Sequence, residues 1–289
     1  MTPTLVRQHP RAGDTPGVDP SARARDWSEI QERMLVPLYE AVHDRLDVGP
    51  GTRLLGLGCG SGLALLMAAS RGATITGVEP SSPERLTLAR DRLHSQVTGA
   101  HTGTDAVLGD SLGALDVRRD GYDLVTAFEP IGCRAGDSDG LAALLTAATP
   151  RAARGAAVVL AGWGPPERCA TTGVLRVADK LADPSRGAGR WRPALRDDLE
   201  EVAERAGLRP DGSGRVACPF GYADLDSAVR GLLSTGLFDA AIDATDRAQV
   251  DTELREALRP YRRQDRTVWM PNVFRYLIAR VPQRLSGRP

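Results

Sequence analysis

Lysine is almost missing from this sequence. Lys180 stands alone among 37 basic side chains, so the positive charge is carried by arginine. That bias reads as a mark of GC-rich coding DNA rather than of a function. Acidic side chains also number 37 and the formal net charge is zero, which excludes the surplus of positive charge that wrapping a nucleic acid requires. No run of 18 or more apolar residues occurs, so no membrane-spanning helix is expected. The four cysteines, Cys59, Cys133, Cys169 and Cys218, form no CxxC pair. That argues against a disulfide framework or a zinc site and fits a reducing cytoplasm. The first residues lack the apolar segment of a secretory signal, and their Pro, Gly and Arg content predicts a flexible arm over 1–25.

What is present is a chain of 289 residues, 42% hydrophobic and 26% charged. That is too apolar for a wholly disordered polypeptide and, with no internal repeat, fits one elaborated domain over 26–289. Trp27, Ile30, Met34, Leu38, Val42 and Leu46 recur at helical spacing, predicting an amphipathic helix over Asp26–Leu46 with a kink or break at Pro37. A short strand then leads through a glycine-rich loop into a helix around Leu63–Ser70. Further strands are predicted at Ala73–Pro80, Asp105–Asp110, Tyr122–Pro130 and Ala156–Gly164. Between them lie helices at Ser82–Ser95, with Ser82 as N-cap and Pro83 in first position, and at Leu141–Thr149. Helices at Thr172–Leu181 and Ala194–Ala206, a strand at Arg215–Phe220 and a helical block at Asp224–Arg262 follow. A last strand lies within Thr267–Val281, with Pro271 at its entry. Alternation of strand and helix at short intervals predicts a parallel sheet covered on both faces.

The chemistry-bearing stretch is Gly56-Leu57-Gly58-Cys59-Gly60-Ser61-Gly62 at a strand–helix junction. Such a loop brings backbone N–H groups and a helix N-terminus up to a ligand. The dinucleotide fingerprint G-x-G-x-x-G fails in every register, because Ser61, Leu63 and Leu65 stand where its last glycine would be. The phosphate-binding P-loop needs Gly-Lys-Ser/Thr, and Lys180 is far away. What remains is G-x-G-x-G after an apolar strand.

LLGLGCGSG (Leu54–Gly62), GVEP (Gly77–Pro80), LGDS (Leu108–Ser111) and YDLVTAFEP (Tyr122–Pro130) occur in one order. In that order and spacing the chain resembles the class I S-adenosylmethionine-dependent methyltransferases over about residues 50–165. AGWGPPERC, ACPFGY and NVFRYLIAR extend the resemblance to bacterial small-molecule methyltransferases with a helical cap. The resemblance implies an α/β, Rossmann-like, mostly parallel seven-stranded sheet with helices on both faces and a cap at about 224–262. It implies S-adenosylmethionine as cofactor and S-adenosylhomocysteine as product. Gly58, Cys59 and Gly60 would sit against the methionine part. Glu79, followed by Pro80, would hold the ribose hydroxyls. Asp110 would accept from the adenine amino group, with Ser111 and Leu112 beside the ring. Glu129 ends the fourth strand, where methyl group and acceptor meet; it would face the sulfonium, take a substrate proton or bind a substrate donor, and a plain surface acid is the other reading. Gly56 stands where the family usually has an acid, Glu129 where it often has Asn or Asp, and Pro150–Gly155 replaces the usual Pro-Gly-Gly turn.

Methyl transfer asks mainly for alignment and exclusion of water, because the sulfonium is already electrophilic. A base is needed only when the nucleophile must lose a proton. Of the four histidines, His101 in a Gly/Thr-rich loop is the catalytic candidate beside Glu129. No His/Asp/Glu cluster has metal spacing, so no metal is expected. Trp27 and Tyr39 on the first helix and Trp163 after the fifth strand are candidate acceptor contacts, each with ordinary packing as its alternative. The block at 224–262 reads either as a lid or as a packed extension or dimer face. A small-molecule acceptor is expected, with no nucleic acid or membrane partner and a monomer or homodimer, acting in natural-product biosynthesis. A cyclisation or rearrangement with cofactor bound but unconsumed, and a non-catalytic binding subunit, are the competing readings.

Overall fold

The computed structural model describes residues 19–97, 106–115, 121–182 and 192–283. The chain enters through a continuous helical run: α1 (Pro20–Asp26), a π-helical turn (Trp27–Gln31), a 3₁₀ turn (Glu32–Leu35) and α2 (Val36–Arg45). Asp19 caps α1 by accepting from Ser21 N–H at 2.9 Å. The helical course therefore begins at Pro20, earlier than the apolar periodicity indicates. The break falls at Pro37: α2 starts one residue before it, so the proline sits in a first turn that needs no N–H donor from it. Residues 1–18 of the expected arm lie outside the described residues.

The core alternates β1 (Arg53–Leu57), α3 (Leu63–Ser70), β2 (Thr74–Val78), α4 (Pro83–Val97), β3 (Val107–Gly109), β4 (Tyr122–Ile131), α5 (Asp137–Ala148) and β5 (Ala152–Trp163). Ser82 caps α4 as its sequence predicts, accepting from Arg85 N–H at 3.2 Å. Next come α6 (Thr171–Leu181), α7 (Asp198–Arg205), β6 (Arg209–Ala217), β7 (Phe220–Tyr222), α8 (Leu225–Ser234), α9 (Asp239–Ala244), α10 (Arg247–Leu258), β8 (Val268–Met270) and β9 (Val273–Arg280). One seven-stranded sheet runs β3-β2-β1-β4-β5-β9-β6. β1 to β5 pair in parallel and β9 runs antiparallel to both its neighbours. β7 and β8 form a separate two-stranded sheet.

The last strand runs where it is expected, with Pro271 just before its entry: β9 covers Val273–Arg280 in the large sheet, and β8, a short strand the sequence did not show, precedes Pro271 and joins the small one. One expectation is corrected. The strand read at 215–220 starts earlier, at Arg209, and ends at Ala217 before β7 departs. Its register slips between Pro210 and Gly212, on the sheet edge where a proline is tolerated.

Each face of the sheet carries its own apolar cluster. α2, α3, α6, α8 and α10 cover one face through Leu38, Leu65, Val174, Leu232 and Leu254. α5 and α7 cover the other through Leu145 and Val202. The cap helices close on the first cluster through Phe238 and Leu258, both fully buried. Asp224 and Asp246 start α8 and α10 by accepting from the amides of Ser227 (2.7 Å) and Gln249 (2.8 Å).

His43 is fully buried on α2, edge-on to Phe128, and neither ring nitrogen has a hydrogen-bond partner. Burial, with Arg71 nearby, lowers its pKa from 6.5 to about 4. The folded state thus refuses a proton that the unfolded chain accepts. Stability contributed by neutral His43 is complete above pH 6.5 and is lost as the pH falls towards 4. At about 1.4 kcal/mol per pKa unit the full effect is roughly 3 kcal/mol. In urea titrations, His43→Phe should gain stability relative to the parent as pH drops from 6.5 to 4. A difference that stays constant across that range would contradict the assignment.

Candidate functional site

In this sheet the strand order reverses between β1 and β4, and open α/β sheets bind ligands at the carboxyl ends of strands at such a reversal. The glycine loop leaves β1 there. Gly58 and Gly60 take left-handed backbone angles, φ 60° and 58°, and Gly62, at 81°, caps α3. Cys59 N–H is tied to Val78 O at 3.0 Å, so the loop folds back over β2. Burial pushes the Cys59 thiol well above its ordinary range, keeping it protonated. Leu65 of α3 fills the space above Gly56, where an added Cβ would lie 2.9 Å from Leu65 Cδ2. The missing acid at 56 thus goes with a leucine packed over its place.

The loop's amides are accepted by two carboxylates. Glu79, which follows β2 and is 2% exposed, accepts from Gly60 N–H at 2.8 Å, and from Ser81 N–H at 2.9 Å and the Ser81 hydroxyl. Glu32, in the entering helical run and also 2% exposed, accepts from Ser61 N–H at 3.0 Å and from the Ser61 hydroxyl. Arg92 of α4 completes that cluster. Its Nη1 donates at 2.8 Å to Glu32, to the Ser61 carbonyl and to the Ser61 hydroxyl, and its Nη2 to Ser28 Oγ at 2.7 Å.

Glu129 lies across the reversal from the loop: a Cβ on Gly58 would stand 3.6 Å from its Oε2. Glu129 is open to water on one side yet sunk in a concave surface. Desolvation raises its pKa from the ordinary carboxylate value, and Arg85 opposes the rise. The open side limits that shift. Arg85 stacks on the Trp27 ring, 4.0 Å from its centre, and donates to the Ser234 carbonyl at the end of α8 (2.8 Å). Tyr39 leans on Phe128 at 4.9 Å between ring centres; burial, with Glu32 nearby, raises its pKa so that the phenol stays neutral. Trp27, Glu32, Tyr39, Gly58, Glu79, Arg85 and Glu129 thus line one small cavity of about 30 Å³, the space of a water or two. Trp27 Nε1 is buried there without a partner. Two wider clefts, of about 450 and 420 Å³, open from Glu129 under the α8–α9 corner.

The fold matches solved structures over most of the chain. A Bacillus halodurans protein assigned as a methyltransferase superposes with TM-score 0.51 at 16% identity, covering 84% of this chain and 98% of its own. The E. coli protein YjhP does so with TM-score 0.51 at 21% identity, covering 90% and 99%. This chain has the class I S-adenosylmethionine-dependent methyltransferase fold. Methyltransferase GfsG of Streptomyces halstedii is 36% identical over 117 residues, 40% of this chain. The match spans 37% of that relative's length. No protein-family model matches the chain.

Against the methyltransferase fold, the sequence-predicted residues divide. Gly58, Cys59, Gly60, Glu79, Glu129, Trp27 and Tyr39 line the small cavity. Asp110, Ser111 and Leu112 follow β3 on the same sheet edge, with Asp110 and Ser111 exposed and joined at 3.1 Å, outside that cavity; Pro80 is exposed beside it. Trp163 stands apart. It packs on Phe274 (4.6 Å between centres) and Phe220 (5.9 Å) and lines a different groove with Glu200 and Arg275. His101 lies outside the described residues.

Sequence reasoning passed over Glu32, Arg85 and Arg92. A signal for Glu32 existed: Ser28, Glu32, Leu35 and Tyr39 share a helical face, so an acid stood in a buried stripe. The two arginines are seven apart, near one face of α4, but nothing in the sequence sets them apart from other surface arginines.

Gly60 supplies a direct test of the loop. Alanine there needs a left-handed conformation, costing about 1–2 kcal/mol, and its Cβ would lie 2.8 Å from Glu32 Oε1. Gly136 has φ 86° with nothing within 4 Å of an added Cβ. Gly60→Ala should therefore lose more stability in denaturant titration than Gly136→Ala; equal losses would show that Glu32 does not press on the loop.

Proposed function

We propose that this chain transfers the methyl group of S-adenosylmethionine to a small organic molecule of natural-product type. The observation that carries this reading is Glu129 facing Gly58 across the strand-order reversal, with Glu79 on the adjacent strand end. Gly58 and Gly60 give the close backbone approach that the methionine part needs. Glu79 offers a carboxylate to vicinal hydroxyls, and Trp27 Nε1 is a buried donor with no other use. Asp110 continues that edge towards the base. The donor set fits an adenosyl amino acid, with the entering helical run as the part that must yield. The cofactor supplies an electrophilic methyl group; the chain's own residues hold it, dry the site and receive a proton from the acceptor.

Glu129 is the residue for that last task. It borders both the cavity and the two clefts, whose volumes suit a small acceptor. One cleft is apolar through Ile131, Leu141, Leu144 and Leu237 of β4, α5 and the cap; the other carries Arg23, Arg85 and Arg134. A cytoplasmic enzyme fits the four free cysteines, three of them buried. One second reading has an observation behind it: Leu65 over Gly56 replaces an acid of the cofactor site, which favours use of the bound cofactor without its consumption.

Calorimetry with S-adenosylmethionine tests the first step: a protein that does not bind it is not this enzyme. Glu79→Ala should weaken binding by roughly 1–3 kcal/mol, the scale of lost charge-assisted hydrogen bonds; unchanged affinity would remove Glu79 from the ribose. With an acceptor in hand, S-adenosylhomocysteine should accumulate one for one with product, and intact cofactor after turnover would decide for the second reading. As a base, Glu129 must be ionised, so activity should rise with pH through a carboxyl pKa above the ordinary range. Glu129→Gln should remove that limb and lower kcat by roughly 10²–10⁴-fold, and a parent profile without the limb would assign Glu129 to binding alone.

A further inference from the structure

Glu32 forms one wall of the small cavity. Without that side chain, Ser61 N–H, the Ser61 hydroxyl and the Arg92 guanidinium would face the pocket together as donors. That trio is shaped for one carboxylate: a backbone amide at the head of α3, a hydroxyl, and a cation held in place by Ser28 and the Ser61 carbonyl. A further donor, Trp27 Nε1, is buried beside it, 3.1 Å from where a Gly60 Cβ would stand, and has no partner.

We infer that Ser61 and Arg92 form a carboxylate site that Glu32 fills from within the chain, and that the carboxylate of an amino-acid-bearing ligand takes Glu32's place on entering the pocket. The inference rests on the proposed function for the ligand's identity, but the site itself does not. Exchange conserves the ionic hydrogen bonds: each donor that loses Glu32 gains the incoming carboxylate, so opening leaves no buried charge unpaired. The segment that must move with Glu32 is tied to the cap rather than to the sheet. Arg23 pairs with Asp239 at 2.8 Å, Arg230 with Asp26, and Tyr222 donates to Gln31 at 3.0 Å. Ile30 fits against Gly231, where a Cβ would come within 2.9 Å. The entering run and α8 therefore form one covering body, and the Glu32 cluster, with Arg85, fastens it to the core. The acceptor clefts lie under that same body, so cofactor and acceptor would share one door.

Two experiments test this, and the first needs no cofactor. In Glu32→Ala, acetate should restore what the lost side chain supplied. Its melting temperature should rise by several degrees in millimolar acetate relative to chloride at equal ionic strength, while the parent's stays put. Equal response of both proteins would overturn the site. The second compares S-adenosylhomocysteine with 5′-methylthioadenosine, which lacks the amino-acid carboxylate, using Glu32→Gln to keep the shape and remove the charge. The variant should bind S-adenosylhomocysteine about fivefold to tenfold more tightly, about 1–1.4 kcal/mol, and 5′-methylthioadenosine as the parent does. Weaker or unchanged S-adenosylhomocysteine binding would make Glu32 a ligand contact or a bystander, and an equal gain for both ligands would remove the carboxylate from the account. A parent that binds neither ligand defeats the proposed function, and the acetate experiment still decides the site. Should Glu32→Ala not fold, the Glu32→Gln comparison decides alone.

Discussion

Buried backbone N–H groups must be accepted by something, and beyond Cys59, whose N–H still reaches Val78 O of β2, the glycine loop presents N–H groups that no strand accepts. This chain answers with two carboxylates that come from different directions. Glu79 arrives from β2, within the parallel core, and takes Gly60 N–H; Glu32 arrives from the entering helical run, outside the core, and takes Ser61 N–H. The first is a consequence of sheet register, since β1 and β2 pair through Gly56 and Gly77 up to Leu57 and Val78. The second ties a peripheral segment to the centre, and the position of the whole cover follows from it.

A carboxylate as buried as Glu32 is stable only with its charge answered. Arg92 does so from α4, which places an arginine on the inner face of a helix where an apolar residue would otherwise pack. Ala89, fully buried one turn earlier, lets α4 approach: a Cβ on Gly62 would stand 3.1 Å from the Ala89 Cβ. Small residues at 62 and 89 thus bring the arginine within reach of the loop, and the loop, the helix and the entering run become one packed unit. Glu129 is treated differently. Arg85 approaches it from α4, one side stays open to water, and desolvation raises its pKa above the ordinary carboxylate value.

Much of this was legible in the sequence. Period-two strands and period-3.6 helices gave the core in order, Ser82 capped α4, and the glycine spacing separated this loop from dinucleotide and phosphate loops. Glu79 and Glu129 followed from the resemblance to the methyltransferases, and both line the small cavity. Boundaries failed where backbone chemistry overrode periodicity: α1 begins at Pro20, where Asp19 caps it, and β6 begins at Arg209, before the apolar pattern indicates. Trp163 was placed at the site by its position after β5, yet an aromatic cluster with Phe220 and Phe274 holds it apart from the small cavity. Glu32 and Arg92 are 60 residues apart, and only tertiary structure shows that they meet. Patterning identifies which residues are buried; it does not identify which buried charges are partners.

The near absence of lysine has a structural counterpart at this site. Arg92 serves the Glu32 carboxylate, the Ser61 carbonyl, the Ser61 hydroxyl and the Ser28 hydroxyl from two nitrogens of one rigid plane. A lysine ammonium is a single point with three donors and would have to release one of these acceptors inside the protein. Arg275, forked on Glu200 while reaching the Arg196 carbonyl, and Arg192, forked on Asp198 at the head of α7, repeat the pattern. Whatever set the codon bias, the fold has come to use planar, multiply donating cations as joints between elements. At the glycine loop such a joint does more than hold: because the guanidinium and the Ser61 amide are indifferent to whose carboxylate they receive, the same geometry that closes the site also defines what can open it.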